Sequence, residues 1–256
     1  MKIKKIKKLS AVKYKIEFED RESITTYDNV ILENNILLKK EIDSDLYLKL
    51  QCENGYYEIY NRAVKYIVTK LRSEKEIREY LKKYSDDNDL INKITNQLKK
   101  EKLLNEERYV KAFIEDKVNL TNYGPLKIEK ELIDLDINEE LIKGYLLKYD
   151  DDIFTSKIDK IIDKRVRINK KDSNYLLRQK IEKELYDLGY PKELFKEKIE
   201  HININESSIV EKEIQKIYKK LSNKYSGNEL KYQIKNKLYQ KGFNLDDLGN
   251  SIDKLF

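Results

Sequence analysis

The segment Lys127-Ile128-Glu129-Lys130-Glu131-Leu132 occurs in four related copies along the chain, and this repetition decides the predicted fold. The isoleucines of successive copies lie 51, 53 and 53 residues apart, and each copy has the four-residue apolar spacing of one helix face. A period of about 50 residues that contains three helices predicts tandem three-helix repeats, about four in number, stacked as an elongated solenoid-like array. The other copies are Glu76-Ile77-Arg78-Glu79-Tyr80-Leu81, Lys180-Ile181-Glu182-Lys183-Glu184-Leu185 and Gln233-Ile234-Lys235-Asn236-Lys237-Leu238.

The first 55 residues have a different pattern, which predicts a small β-containing extension before the repeats. Val12–Phe18 alternates apolar and charged side chains, as a half-buried strand does. Glu22–Tyr27 is predicted to pair with this strand, and Met1–Ile6 to add a third. The remaining predicted elements are two short helices, Asp28–Asn34 and Asp43–Glu53, and Gly55 closes this section.

The predicted chain is therefore mainly α, with five parts. Ser73-Glu74-Lys75-Glu76 is a capping box that starts a helix, and Gly124-Pro125 sets the entry to another, because proline is favoured in a first helical turn. The predicted parts are the extension at residues 1–55 and three-helix repeats 1 to 4 at residues 56–104, 105–149, 150–204 and 205–256.

The composition excludes several classes of protein. The chain of 256 residues is 39% hydrophobic and 39% charged, with one cysteine (Cys52) and one histidine (His201). These counts exclude an intrachain disulfide, a cysteine-rich zinc site and a His-clustered metal centre. No apolar run approaches ~18 residues, and the N-terminus lacks the apolar core of a signal peptide. We expect a soluble, cytoplasmic protein without membrane contact, metal or cofactor, in which Cys52 and His201 are inert.

Three consecutive aspartates, Asp150-Asp151-Asp152, leave two interpretations open. Acidic residues at a helix start complement the helix dipole and cap the free N–H groups. Alternatively, carboxylates of this kind hold the metal ion of a nuclease, although no histidine or partner carboxylate recurs nearby. The nuclease alternative predicts DNA cleavage that depends on Mg²⁺ or Mn²⁺.

Basic residues cluster at two places, although the net charge of the whole chain is a modest +6. Residues 164–171 hold five cations in eight positions, where they either complement a helix C-terminus or contact a phosphate or acidic partner. The N-terminal lysines are expected at a strand edge, where charge prevents unwanted strand pairing. The twenty tyrosines are assigned mostly to packing rather than to base stacking, with Tyr66, Tyr84 and Tyr218 at core-type positions.

Three blocks of the sequence resemble those of the RecX family, the regulators of the RecA recombinase. Lys70–Leu81 is similar to that family's R-x-R-S-E-x-E-L block, and Leu103–Phe113 to its G-L-L-D-D-x-R-F-A-x-x-F block. Tyr123–Leu132 is similar to its G-P-x-x-I-x-x-E-L helix start. Lys102 and Asp136 stand where the family has glycine, so the sequence departs from the family at two loops.

The resemblance, strongest across residues 63–142, implies a regulator without enzymatic activity. Family members are thought to lie in the helical groove of the RecA–single-stranded-DNA filament, to bridge protomers, and to hinder ATP hydrolysis and strand exchange. A role in DNA repair, homologous recombination and the SOS response follows, with the RecA filament and its single-stranded DNA as partners of a monomer. The alternative is a stand-alone DNA-binding repeat protein, such as a transcription or nucleoid factor, which the modest net charge disfavours.

Basic side chains on the repeats are the candidates for contact with the filament or the DNA. Pairs three residues apart share a helix face and favour a continuous basic stripe. Ordinary solvated surface and local ion pairs are the competing explanation. The candidates are Arg72, Lys75, Arg78, Arg108, Lys111, Lys127, Lys130, Arg165, Arg167, Lys170 and Lys171.

Overall fold

The structure is a computed structural model that describes residues 1–244 and residue 252. The chain forms two compact units, Met1–Tyr109 and Val110–Phe256, and the division between them lies within one helix. The helix expected after Gly242, in the last part of repeat 4, lies outside the described residues.

The described chain is mainly helical with a small N-terminal sheet, which confirms the predicted fold class. The strands are β1 (Ile3–Lys8), β2 (Lys13–Phe18) and β3 (Ile24–Tyr27). The helices up to the division are α1 (Asp28–Glu33), α2 (Ser44–Thr69), α3 (Glu74–Leu81), α4 (Asn88–Lys100) and α5 (Glu106–Leu120), which crosses it. The later helices are α6 (Pro125–Ile133), α7 (Glu139–Leu146), α8 (Asp151–Ile168), α9 (Asn174–Asp187), α10 (Lys196–Glu200), α11 (Ser207–Leu221) and α12 (Gly227–Gln240). One-turn 3₁₀ helices occur at Ile36–Leu38 and Lys192–Leu194.

The N-terminal sheet has the three predicted strands, and it is antiparallel with the order β1-β2-β3. Ile16 and Phe18 of β2 are buried, the alternation expected of a strand with one face on a core. The sheet shares one apolar core with α1, α2, α3 and α4. β1 is an edge strand whose lysines are exposed, so its charge lies where it opposes pairing with another strand.

The predicted break at Gly55 is wrong, because α2 is a single helix of 26 residues that continues through it. A glycine in a helix interior costs only about 1 kcal/mol relative to alanine. Leu50, Tyr57 and Ala63 of the same helix are buried in the core of the first unit, and this packing outweighs the glycine penalty. The extension and repeat 1 therefore share α2, and the exact limits of the five parts stay a proposal.

The four repeated segments form the buried faces of α3, α6, α9 and α12. In each copy the isoleucine and the leucine four residues later are 0% exposed, because that spacing places both on one helix face. The capping box of α3 is also confirmed: Glu76 N donates to Ser73 Oγ at 3.1 Å, and Ser73 N donates to Glu76 Oε2 at 2.8 Å. The buried pairs are Ile77 and Leu81, Ile128 and Leu132, Ile181 and Leu185, and Ile234 and Leu238.

The tyrosines assigned to core positions are less buried than predicted. Tyr84 follows the end of α3 and is 43% exposed, which corrects its core assignment. Its ring packs edge-on against Tyr80, with centroids 5.2 Å apart, and carries the Arg62 guanidinium 4.8 Å from its centre. Tyr66 and Tyr218 are half-buried, so aromatic spacing alone overestimated their burial.

Repeats 2 and 3 meet through a close backbone contact between two glycines. Gly124 N donates to Leu188 O at 2.7 Å, and Leu126 N donates to Gly189 O at 3.1 Å. A Cβ on Gly124 would lie 2.4 Å from Gly189 O, and Gly189 itself has a φ of +79°. Glycine is the residue that fits both positions. The structural role predicted for Gly124-Pro125 is therefore confirmed and extended, since this pair docks the start of α6 on the turn after α9.

The start of α9 docks on the turn after α12 in the same manner. Ser173 Oγ donates to Lys241 O at 2.7 Å. Gly242 has a φ of +74°, and a Cβ there would lie 2.6 Å from Tyr175 Cδ1. Consecutive repeats of the second unit are thus joined by one recurring contact, between a helix start and the left-handed turn that follows the equivalent helix of the next repeat.

Candidate functional site

A basic cleft of about 690 Å³ opens on the second unit, beside the start of α6, the C-terminal end of α8 and one face of α9. Its charged lining consists of six cations and three carboxylates, so an anionic ligand is favoured. The cations are Lys127, Arg165, Lys170, Lys171, Lys180 and Lys183, and the carboxylates are Asp172, Glu184 and Asp187.

The loop after α8 is fixed by the side chain of Asn169. Asn169 Nδ2 donates to Asp172 O at 2.8 Å, while its Oδ1 accepts from Asp172 N at 3.0 Å. Asparagine commonly closes turns by bonding the backbone two or three residues on. The Asp172 carboxylate in turn pairs with Lys180 Nζ at 2.7 Å. The fixed loop presents Lys170 and Lys171, which are both exposed.

Two of the six cations are engaged within the cleft, and three remain available. Arg165 donates from Nε and a terminal nitrogen to the two oxygens of Glu184, at 2.6 and 2.8 Å. These hydrogen bonds raise the pKa of the Arg165 guanidinium, and Lys180 is held by its carboxylate partner in the loop. Within residues 1–244, no hydrogen-bond or ion-pair partner is found for the ammonium groups of Lys170, Lys171 and Lys183. These three charges can therefore meet a ligand without first breaking an internal pair.

Lys127 belongs to the neighbouring repeat and reaches the cleft because of the glycine contact. Its Nζ lies 4.2 Å from the centre of the Tyr123 ring and 3.3 Å from Asp187 O. A cation over an aromatic face is stabilised by the ring quadrupole, and a cation beside the last carbonyls of a helix complements its dipole. Lys127 therefore adds charge to the cleft while it also supports the joint between the repeats.

Four of the predicted contact residues meet in the basic cleft: Lys127, Arg165, Lys170 and Lys171. Arg167 and Lys130 are exposed on α8 and α6 but do not line it. Residues of the basic cluster around the end of α8 and Lys127, from the predicted stripe on α6, therefore line the same cleft.

Arg72 and Arg78 have partners inside the first unit. The Arg72 guanidinium carbon lies 4.0 Å from the centre of the Tyr66 ring, and a terminal nitrogen donates to Glu76 at 3.2 Å. The side chain of Arg72 is only 19% exposed. Arg78 Nε donates to Glu74 at 2.8 Å. These contacts favour local ion pairs for both arginines.

The remaining candidates lie on α3 and α5. Lys75 is half-buried in the first turn of α3. Arg108 is exposed, and its guanidinium has no partner among the residues that the structure describes. Lys111 is also exposed, with Glu115 at 4.0 Å. The proposed stripe through α5 and α6 stays a prediction.

Two functional candidates, Lys180 and Lys183, were missed by sequence reasoning. They occupy the positions in the third copy of the repeat that Lys127 and Lys130 occupy in the second. Residues three apart on a helix share a face, so both lysines of α9 line the cleft. Extending the stripe argument from one copy to the next would have identified them.

The three aspartates lie at the start of α8, where Asp150 is the N-cap residue and the next two are in the first turn. Across residues 1–244, no group of three His, Cys, Asp or Glu side chains is placed to hold a metal ion. Over the same residues, no helix has both the length and the apolar character needed to cross a membrane.

Comparison with known proteins gives consistent matches. Residues 105–146, which contain α5, α6 and α7, match the second three-helix domain of RecX. The regulatory protein RecX of Streptococcus agalactiae is 29% identical over 265 residues, which cover 98% of this chain and 98% of that protein. The RecX protein of Oceanobacillus iheyensis is 25% identical over 240 residues, covering 92% of this chain and 88% of that protein.

Solved structures share the fold. A crystal structure of regulatory protein RecX has a TM-score of 0.66 at 20% identity and covers 76% of this chain and 97% of its own. The crystal structure of RecX from Lactobacillus salivarius has a TM-score of 0.53 at 23% identity and covers 59% of this chain and 99% of its own. The domain match, the similarity over nearly the whole chain and the shared fold agree with the three sequence blocks. This chain is similar to regulatory proteins of the RecX family over nearly its whole length.

Proposed function

We propose that this chain is a non-enzymatic regulator that binds the RecA–single-stranded-DNA filament along its helical groove and inhibits ATP hydrolysis and strand exchange. The partner is inferred from the family resemblance, and the similar proteins are named as regulatory proteins. The structural observation that carries the proposal is the basic cleft, in which four predicted contact residues converge.

The cleft suits phosphate or carboxylate groups of the filament because its unpaired lysines project from a fixed loop and one helix. Each phosphate contact releases counterions and lowers the logarithm of the affinity by ~0.7 to 0.9 per tenfold increase in salt. Three such lysines give only weak affinity for naked DNA. Strong binding then requires further contacts with the recombinase itself.

Repetition offers those further contacts. Once one repeat is bound, its neighbours are held at a high effective concentration near the next protomers, so several weak contacts add. A regulator bound to successive protomers would favour the filament conformation that matches its own spacing, and would thereby shift the filament between active and inactive states. Inhibition of this kind needs no catalytic residue on the regulator.

The direct test is ATP hydrolysis by RecA preassembled on single-stranded DNA, titrated with this protein at sub-stoichiometric ratios. Loss of hydrolysis well below one molecule per protomer supports the proposal. Unchanged hydrolysis together with tight, salt-sensitive binding to naked DNA contradicts it and favours the stand-alone DNA-binding alternative. Cleavage of DNA in the presence of Mg²⁺ or Mn²⁺ would instead identify a nuclease.

A further inference from the structure

A second cleft, of about 550 Å³, lies in the first unit beside α1, α2 and α4, and its charge is opposite to that of the basic cleft. Its charged lining is three carboxylates and a single lysine. Three tyrosines of α2 also line this cleft, and we call it the tyrosine cleft. The carboxylates are Glu33, Glu53 and Glu101, the lysine is Lys93, and the tyrosines are Tyr56, Tyr57 and Tyr60.

The three tyrosine rings support one another as an aromatic wall. Tyr56 meets Tyr57 edge-on with centroids 5.0 Å apart, and lies nearly parallel to Tyr60 at 6.0 Å. Tyr57 and Tyr60 meet edge-on at 6.0 Å. Such arrangements are the preferred ones for aromatic pairs, so the wall is fixed before any ligand arrives.

Two hydroxyls of this wall donate to carboxylates of the same cleft. Tyr57 donates to Glu33, and Tyr60 donates to Glu101. Burial first, and then these hydrogen bonds, raise the pKa of both tyrosines. The two hydroxyls therefore stay protonated and act as donors to these carboxylates. Glu33 Oε2 has no partner among the residues that the structure describes, so it can accept from a ligand.

The ammonium group of a lysine already lies over one ring of the aromatic wall. Lys93 Nζ lies 4.8 Å from the centre of the Tyr56 ring. Lys93 is exposed, and it forms no ion pair with any described carboxylate. Its position shows that the face of Tyr56 accepts a positive charge, held there by the ring quadrupole rather than by a salt bridge.

The first unit twice combines an arginine, a tyrosine face and a glutamate. One example is the Arg72 arrangement described above. In the other, the Arg62 guanidinium lies 4.8 Å from the Tyr84 ring centre and donates to Glu58 at 3.0 Å. The tyrosine cleft has the tyrosine face and the glutamates, but none of its lining residues is an arginine.

We propose that the tyrosine cleft binds an arginine side chain of a protein partner, with the guanidinium stacked on Tyr56 in place of Lys93 and bonded to the free oxygen of Glu33. Arginine fits better than lysine because its planar fork can stack and donate to a carboxylate at the same time. The negative lining repels phosphate, so the partner surface is a basic protein segment rather than nucleic acid. This site is independent of the proposed role of the basic cleft.

The test is a titration of the full chain with three short peptides, followed by NMR of the tyrosine ring signals. The peptides are acetyl-Gly-Arg-Gly-amide, its lysine counterpart, and the citrulline counterpart, which keeps the shape of arginine without the charge. The proposal expects saturable binding of the arginine peptide, about 2–5-fold weaker binding of the lysine peptide, and no saturation with citrulline.

Variants then locate the site. Lys93→Ala should tighten arginine binding about 2–5-fold by removing the resident cation, and Glu33→Gln should weaken it by a similar factor. Glu79→Gln is the matched control, because Glu79 is an exposed glutamate of the same unit outside the cleft. Equal binding of the arginine and citrulline peptides would overturn the proposal. The proposal would also be overturned if neither Lys93→Ala nor Glu33→Gln changed the affinity for the arginine peptide. Lys93 is exposed, so Lys93→Ala still tests the proposal if Glu33→Gln lowers stability.

Discussion

At the scale of single residues, Arg72 is part of the packing of the first unit. Its guanidinium is shared between the face of Tyr66 and the carboxylate of Glu76, and little of the side chain reaches solvent. The sequence placed Arg72 in a block similar to one of the RecX family, but left a filament contact and a local ion pair as alternatives. Sequence spacing cannot choose between them, because the choice depends on how far α2 continues and where it places Tyr66.

Replacing Arg72 with alanine should therefore reduce stability. The substitution removes a stacked, hydrogen-bonded guanidinium at a largely buried position, and we expect a loss of about 1–2 kcal/mol in the free energy of unfolding. Arg108→Ala is the control, since that exposed guanidinium has no described partner, and it should change stability by less than about 0.5 kcal/mol. Urea unfolding of both variants measures the difference. Equal effects would show that the Arg72 contacts contribute nothing.

Lys102 carries backbone strain that its sequence position already suggested. It stands where the family has glycine, and its φ of +58° is in the left-handed region. That conformation costs a residue with a Cβ about 1–2 kcal/mol, partly offset by the greater chain entropy of glycine in the unfolded state. Lys102→Gly should therefore raise stability by about 0.5–1 kcal/mol in urea unfolding. Lys100→Gly, two residues earlier and within α4, should lower it, and a stabilising effect there would contradict the explanation.

At the scale of helices and turns, the joints between repeats depend on close backbone approach. The sequence predicted the helices and their buried faces because each copy repeats one apolar spacing. It did not predict the joints, because a contact between Gly124 and Gly189, 65 positions further along, leaves no periodic signal. The break predicted at Gly55 was wrong for a related reason: a lone glycine in the sequence does not reveal whether a neighbouring core compensates for it.

The joint between repeats 2 and 3 gives a sharp comparison between two glycines. Gly124→Ala would place a Cβ 2.4 Å from a backbone oxygen that cannot move aside, and we expect a loss of about 1–3 kcal/mol. Gly144→Ala has open space around it in α7 and should stabilise the chain by about 0.5–1 kcal/mol. Thermal unfolding of the two variants provides the measurement. A neutral Gly124→Ala variant would contradict the close contact.

A buried ion pair makes repeat 4 sensitive to acid. Burial alone would raise the pKa of Glu213, but the hydrogen bond and charge of Lys241, with Lys216, hold it below its ordinary value. A carboxyl with a lowered folded-state pKa contributes stability above the unfolded pKa, and loses it as the pH falls through the folded one. Glu213→Gln should cost about 1 kcal/mol at pH 7 and flatten the loss of stability below about pH 4.5. An unchanged acid dependence would show that another group is responsible.

At the scale of the whole chain, two clefts of opposite charge occupy the two compact units. The sequence predicted four of the six cations of the basic cleft, because they were either clustered in the sequence around the end of α8 or part of a repeated motif. It did not predict the tyrosine cleft, whose residues come from α1, α2 and α4 and are far apart in the sequence. Cavities between helices depend on tertiary packing, which local patterns do not encode.

The central claim is that the basic cleft engages the recombinase filament. It is tested most directly by ATP hydrolysis of RecA on single-stranded DNA with two paired-lysine variants. The double variant Lys170→Glu with Lys171→Glu reverses the charge of the cleft loop. The double variant Lys219→Glu with Lys220→Glu reverses the charge of an equally exposed pair at the end of α11. The first variant should need at least about tenfold more protein than the unmodified chain for the same inhibition, and the second should inhibit normally. Equal inhibition by both variants would contradict the claim.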